Sequence, residues 1–344
     1  MTGPAARHVA VVGLGLIGGS VGRTLVAQGW RVTGWDPDAP TRALAREAGV
    51  ETAETLEGLA AAGARLLVLA VPLRAVRTTV ERLAPVLPPV TVVTDVASVK
   101  GPVRDAVRAH GLDRLYVGAH PMAGTEHSGF AASDADLLRE ARWALTVDGS
   151  TDPDAFLLVA EMVTTAFGSV AHPLTDAVHD AAVALVSHVP HVVATELLNL
   201  VVGSPVTEVA QGLAAGSFRD GTRVARTTPR RTQAMVTDNA AGVSAALRLA
   251  ARDLLDLADA LDDGRSTDEF FDRADPLRAG GAASGARATV ELLLDEEGWQ
   301  DRLADRGRAG ARLVSVDTGR RSVLLSEPLP EPGVADPAGA APGT

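Results

Sequence analysis

The stretch AHPMAGTEHSG at 119–129 puts a histidine, a proline and a carboxylate on a glycine-punctuated segment. His120 is the sharpest candidate for chemistry. A histidine between a short apolar run (115–119) and Pro121 is poorly explained as core filling. An imidazole with an ordinary pKa of about 6.5 suits base work near neutral pH. Glu126 suits orienting a ligand or the histidine, or plain solvation. Upstream, DVASVK at 95–100 closes a strand and opens a helix. Ser98 there suits an N-cap, and equally a hydroxyl facing a ligand cleft, because ligands bind outside the carboxyl ends of strands in open α/β sheets. Lys100 reads as a solvated charge. In VSHVPH at 186–191, Ser187, His188 and His191 surround Pro190, which should kink a helical run. Two histidines without a clear carboxylate partner argue against a metal site. FRDGTRVAR at 218–226, with Arg230 and Arg231, is the densest basic stretch. It reads either as solvated charge or as a carboxylate clamp, since arginine binds carboxylates through two parallel hydrogen bonds.

These residues need a frame, and the N-terminal half supplies one. An apolar β-rich run at 8–13 leads into GLGLIGGS at 13–20, then a helical stretch to about Gln28, a second strand at 31–35 and Asp36. Strand, G-x-G-x-x-G, helix, strand and acid in that order form a dinucleotide-binding pattern. Gly13, Gly15 and Gly18, with Leu16 and Ile17, let the backbone turn tightly and approach a pyrophosphate at a helix N-terminus. Asp36 would accept hydrogen bonds from the adenine ribose and repel a 2′-phosphate, which favours NAD over NADP. Helices at 41–49, 73–87 and 99–110 alternate with strands at 66–71, 91–96 and 115–119, as in a parallel, doubly wound sheet. Val71 and Pro72, at a strand end, suit the nicotinamide side of the cofactor, and equally a plain strand end. Short strands at 144–147 and 169–171 flank a helix at 154–167.

Beyond His172 the pattern turns helical, with helices expected at 177–202, 206–213, 234–261 and 287–294, the last continuing towards Arg308. The next strand signal is at 313–325. The expected organisation is a flexible N-terminus (1–7), an α/β Rossmann-like NAD-binding domain (8–172), an all-α helical substrate and dimerisation domain (173–310), and a mostly disordered C-terminal extension (311–344). The chain has 344 residues, 46% of them hydrophobic, enough for two cores. Its net charge of −11 argues against general nucleic-acid or anionic-membrane binding. Without cysteine there is no disulfide or thiolate chemistry. The N-terminus shows no signal-peptide pattern and the apolar runs read as too short to span a bilayer. A cytoplasmic protein is expected. The run at 177–202 is apolar on more than one face, so it should be buried, most simply in a homodimer.

Five segments in this order resemble the prephenate dehydrogenases of tyrosine biosynthesis: GLGLIGGS at 13–20, DVASVK at 95–100, HPMAGTEHSG at 120–129, SHVPH at 187–191 and FRDGTRVA at 218–225. The resemblance covers roughly residues 8–310. It implies a Rossmann-like domain followed by a helical dimerising domain, with NAD as cofactor. The implied reaction is oxidative decarboxylation of prephenate to 4-hydroxyphenylpyruvate. Some members of the family use arogenate, and a variant acts on 4-amino-4-deoxyprephenate. By family position, His120 accepts the hydrogen bond of the C4 hydroxyl and Ser98 orients hydroxyl and histidine. Arg223 takes a substrate carboxylate, His191 and Ser187 lie near the substrate or the domain seam, and Glu126 belongs to side-chain recognition and gating. Two departures stand out. The segment 226–232 lacks the tryptophan some members carry, and the C-terminus does not read as an ACT-type regulatory domain. Other two-domain NAD dehydrogenases usually rely on a lysine in the helical half, whereas the single lysine here, Lys100, lies in the first half.

Overall fold

The structure, a computed structural model, describes residues 7–125, 127–226, 228–279 and 286–329. Residues 1–6, Glu126 and 330–344, to which the sequence reading assigned a flexible start, a candidate substrate contact and most of a disordered tail, lie outside the described residues.

The first half alternates as the pattern requires. It runs β1 (His8–Val12), α1 (Leu16–Ala27), β2 (Arg31–Trp35), α2 (Ala39–Glu47), β3 (Glu51–Thr52), α3 (Leu56–Ala61), β4 (Leu66–Leu69), α4 (Leu73–Leu83), β5 (Val92–Asp95), α5 (Gly101–Arg108) and β6 (Tyr116–Val117). The strands form a six-stranded parallel sheet in the order β3-β2-β1-β4-β5-β6. β1 reads as continuous apolar residues because both faces are covered. Val9 and Val11 enter one core, and Ala10 and Val12 enter another beneath α3, α4 and α5. Reversal of strand order between β1 and β4 opens the crevice where this architecture binds ligands.

A second sheet begins immediately. β7 (Ala119–Pro121), β8 (Arg142–Thr146), α6 (Pro153–Glu161) and β9 (Val170–Leu174) precede the helical region of α7 (Asp176–Val183), α8 (Val189–Val202), α9 (Thr207–Leu213), α10 (Gly216–Thr222), α11 (Pro229–Asp238), α12 (Ala240–Asp262), α13 (Asp268–Asp272) and α14 (Asp275–Arg278). The chain then returns as β10 (Arg287–Leu293), α15 (Trp299–Arg308), β11 (Arg312–Asp317) and β12 (Ser322–Pro328), completing a six-stranded mixed sheet, β10-β12-β11-β9-β8-β7.

Three expectations are corrected here. Residues 287–293 are a strand, not a helix, because Val290 and Leu292 alternate into the core while Thr289 and Glu291 face away. Residues 312–328 are not a disordered extension. Leu313, Val323 and Leu325 are fully buried in the core that also holds Val9, Trp143 and Phe156. Finally, α7, a π-helical turn (Ala184–His188) and α8 run together as Asp176–Val202, which by length and composition alone could cross a bilayer. Its first part carries site residues, however, and its outward Leu185, Val186, Leu200 and Val202 suit coverage by another protein surface.

The returning segment sits tightly on the N-terminal half. A Cβ on Gly307 of α15 would lie 1.6 Å from the Pro173 carbonyl oxygen of β9. Gly307→Ala must therefore push α15 off the sheet, at a cost of about 1–3 kcal/mol or more. Gly149→Ala, where the added methyl meets nothing within 4 Å, is the control. Thermal unfolding should give a lower midpoint for Gly307→Ala only; equal midpoints would mean that the segment is not packed this way.

Candidate active site

The glycine loop closes on itself by direct backbone contact. A Cβ on Gly13 would meet the Ala70 carbonyl oxygen at 2.7 Å, and one on Gly18 the Gly13 carbonyl oxygen at 2.0 Å, whereas Gly15 faces open space. The N-terminus of α1 has no side-chain cap and no acidic residue in its first turn. Its free N–H groups and positive dipole end, beside that open space, fit a phosphate. Asp36 is fastened to the loop, accepting the Leu14 N–H at 2.9 Å and the Asp38 N–H at 3.0 Å. Val71 and Pro72 follow β4, and Pro72 precedes the first turn of α4. The residues present fit a dinucleotide lying across the crevice.

His120 is not on a loop, as its sequence context suggested. It is the central residue of β7, paired with Ala144 of β8, directly after the chain leaves the first sheet at β6. Its Nδ1 lies 3.0 Å from His179 Nε2, and His179 Nδ1 lies 2.8 Å from Asp180 Oδ1. The partners assign the tautomers. A carboxylate only accepts, so His179 carries its proton on Nδ1 and offers Nε2 as acceptor. His120 then donates from Nδ1, and its Nε2 is left as a lone pair. Burial, followed by the Lys100 charge and the neighbouring His179 and His188, pushes the His120 pKa well below its ordinary value. The ring is neutral at pH 7, with Nε2 placed to accept a proton.

Asp180 does more than orient a histidine. Its Oδ1 accepts the Lys100 N–H at 2.8 Å and its Oδ2 the Gly101 N–H at 2.9 Å, so it caps α5 from the helical region. Burial alone would raise its pKa, but the bonds from His179, Lys100 and Gly101 hold it below the usual carboxylate range. Lys100 is not solvated, as its sequence position suggested. It is fully buried, with its ammonium on Asp95 and on the Ala119 carbonyl, the latter at 2.7 Å. Asp95 also takes the Tyr116 hydroxyl at 2.7 Å and the Ala97 N–H at 2.8 Å, so the buried charges are fully partnered.

The remaining candidates are placed less closely. Ser98 is exposed just past β5 and does not cap α5, a role taken by Asp180. Ser187 and His188 lie in the π-helical turn, where Pro190, lacking an N–H, breaks the α-helical ladder. His188 is buried and receives Asn239 Nδ2 at 3.2 Å. His191 is half-buried, and its Nδ1 is buried with no hydrogen-bond partner. Arg223 opens a 3₁₀ turn against α8 and is exposed, with no ion pair or hydrogen bond among the described residues. No hydrogen bond or ion pair joins Arg223 to His120, whose ring bonds His179. Among the described residues no group of three or more His, Asp or Glu could hold a metal ion. Sequence reasoning missed His179, Asp180 and Asn239. A usable signal existed, since DAVHDAAV sets a His-Asp pair in an otherwise small and apolar helix.

These histidines also make stability depend on pH. Burial is the leading cause of depression at both His120 and His188. For such groups the unfolded chain binds protons first, so the stabilisation is complete above about pH 6.5 and is lost as pH falls through that value. The carboxylates held low, such as Asp180, act in a separate and more acidic window. The denaturant midpoint should therefore drop between pH 7 and pH 5, and less steeply in a His120→Gln, His188→Gln double variant. A midpoint that is flat over this range in the parent would refute the buried neutral state.

Comparison with known proteins agrees with this geometry. Residues 21–172 match the family model described as prephenate dehydrogenase, nucleotide-binding domain, and residues 175–273 match prephenate dehydrogenase, dimerization domain. The chain is 33% identical over 244 residues to a cyclohexadienyl dehydrogenase of Zymomonas mobilis, a match covering 68% of this chain and 81% of that protein. A crystal structure of a Corynebacterium glutamicum protein described as a prephenate dehydrogenase superposes with a TM-score of 0.79 at 34% identity, covering 89% of this chain and 98% of that one. Prephenate dehydrogenase of Aquifex aeolicus, in complex with hydroxyphenyl propionate and NAD+, superposes with a TM-score of 0.71 at 26% identity, covering 80% and 96%. With both family models matched along its length, and with these relatives, the chain belongs to the prephenate dehydrogenase family.

Proposed function

We propose that this chain is an NAD-dependent prephenate dehydrogenase, converting prephenate to 4-hydroxyphenylpyruvate with loss of CO₂, and that it works as a cytoplasmic homodimer. The observation that carries the reading is the chain from Asp180 through His179 to His120, which leaves the His120 Nε2 lone pair free at the carboxyl end of the parallel sheet. The loop of Gly13, Gly15, Leu16, Ile17 and Gly18, with Asp36 and with Val71 and Pro72 beneath, would hold NAD. Bound there, NAD+ supplies the acceptor for the hydride leaving C4. The NAD+ complex of the Aquifex relative supports the same cofactor here.

The chain's own residues then have a short task. His120 Nε2 accepts the C4 hydroxyl proton as the carbonyl forms, and Ser98 orients that hydroxyl. His179 and Asp180 hold the imidazole in the accepting tautomer and favour the imidazolium that results. Arg223 takes a substrate carboxylate, with the unpartnered Nδ1 of His191 available for a further polar contact. Ser187 and Glu126 belong to the same proposed cleft. Because the ring becomes aromatic as CO₂ leaves, positioning and proton removal are most of what the protein must supply. The outward apolar residues of α8 and α9, among them Val193, Leu197, Val209 and Leu213, favour a homodimer built on the helical region.

The deciding assay follows NADH formation from purified protein with prephenate and NAD, beside arogenate and beside NADP. Activity with prephenate and NAD is expected, and no turnover of either substrate would end the proposal. His120→Asn should lower kcat by about 10² to 10⁴ while the affinity for NAD barely changes. A near-normal kcat would remove His120 as the base. Arg223→Ala should raise the KM for prephenate about 30-fold or more, because a carboxylate loses a desolvated partner. Arg223→Lys should restore only part of this, since an ammonium lacks the planar fork. Normal prephenate binding in Arg223→Ala would move the clamp to Arg219 or Arg226.

A further inference from the structure

The face of the second sheet that carries His120 also carries a row of cations outside the catalytic relay. Cross-strand pairing fixes this arrangement. His120 pairs with Ala144, and Ala144 with His172, so His172 shares the His120 face, and so does Arg142, two residues before Ala144 on β8. On β11, Leu313 pairs with Ala171 of the opposite face, which places the adjacent Arg312 on the His172 face. Arg312 pairs with Ser326, and Ser326 with Thr289, so Arg287 joins the same face.

The row is not neutralised. Arg287 is pinned by Ser326 Oγ at 2.9 Å, the Ser326 carbonyl at 2.6 Å and the Gly310 carbonyl at 2.8 Å, with no carboxylate. Among the described residues, the side chains of Arg142, His172 and Arg312 have no hydrogen-bond or ion-pair partner, and Arg312 Nε is buried and unsatisfied. Burial and the three arginines together depress the His172 pKa, and burial with Arg287 and Arg142 depresses that of Arg312. This is unusual in a chain with 43 Asp and Glu against 32 Lys and Arg. Many other arginines pair with acids, as Arg31 does with Glu51, Arg104 with Asp176 and Arg306 with Glu327. Mutually repelling, partly desolvated cations cost stability unless something anionic joins them.

We propose that Arg142, His172, Arg287 and Arg312 form a binding site for a small multivalent oxyanion, a phosphate or a polycarboxylate, on the His120 face of the second sheet. The planar guanidinium fork can give two parallel hydrogen bonds to a pair of oxygens on either anion. Arg287 is already held in place by carbonyls, so little of its side-chain freedom remains to be lost on binding. The site is independent of the proposed dehydrogenase reaction and does not use its residues.

The test is calorimetric titration of the full-length protein, at constant ionic strength in chloride, with inorganic phosphate in one arm and citrate in the other. Saturable binding is expected in at least one arm, and the stronger arm identifies the source of the anion. Arg312→Gln and Arg142→Gln should each weaken it by about tenfold or more. Without added anion, Arg312→Gln should melt no lower than the parent, since it removes an unpaired, partly buried charge. If Arg312→Gln does not fold, the exposed Arg142→Gln alone decides the binding question. His120→Asn should bind the anion as the parent does. Absence of saturation in both arms, unchanged affinity in the arginine variants, or loss of binding in His120→Asn would each overturn the proposal.

Discussion

The Asp180 carboxylate is the interaction on which the rest depends. Three N–H groups converge on it from two parts of the fold: the backbone of Lys100 and Gly101 at the start of α5, and the ring of His179 in α7. One group therefore closes the N-terminus of a Rossmann helix, fixes the tautomer of a histidine and joins the helical region to the nucleotide-binding half. The junction is reinforced nearby, where the buried Arg104 of α5 pairs with Asp176 at 2.8 Å. A carboxylate with this many donors stays ionised despite burial. Its hydrogen bond to His179 fixes the tautomers along the chain, so that the proton of neutral His120 sits on Nδ1 and the outer nitrogen is left as a lone pair.

Lys100 works in the same direction by a different route. Its ammonium is buried against Asp95 and holds the Ala119 carbonyl, next to His120 in the chain. The hydrogen bond fixes the start of β7, and the charge disfavours protonation of the imidazole. The network lies where the chain crosses from β6 in one sheet to β7 in the other. Position and protonation state of His120 are thus set by the same side chains, so a change that loosens one should disturb the other.

Much of the nucleotide-binding half was legible from local patterns. The Gly13–Gly18 loop and Asp36 are read from residues close in sequence, and the alternation of strand and helix needs only short windows. His120 stood out through its proline and its position after an apolar run. What was hidden was long-range. Nothing local in DVASVK says that Lys100 turns inward, because the reasons are Asp95 and the Ala119 carbonyl. Nothing local says that Asp180 caps a helix some eighty residues earlier. RATVELLL, which holds the strand Arg287–Leu293, is apolar at both spacings, so its local pattern fits a helix as well as a strand. Pairing with Ser322–Pro328 decided the matter, and that partner comes later in the chain. Where Arg223 sits relative to His120 was likewise beyond the reach of spacing.

The returning C-terminal strands give the fold a dependence that its order of elements conceals. β7 has only three residues, and its hydrogen-bonded neighbour in the second sheet is β8. β8 leans on β9, and β9 meets β11, which arrives after the whole helical region. So the strand that carries His120 is the edge of a sheet whose other strands come partly from residues 287–328. Short edge strands hold their geometry through the sheet behind them. Trp143 of β8 and Leu313, Val323 and Leu325 of the last strands share one core. The returning strands thus support His120 from behind, while Asp180 positions it from in front. The two halves therefore cannot be read as a nucleotide module with a helical appendage, because each supplies part of what holds His120.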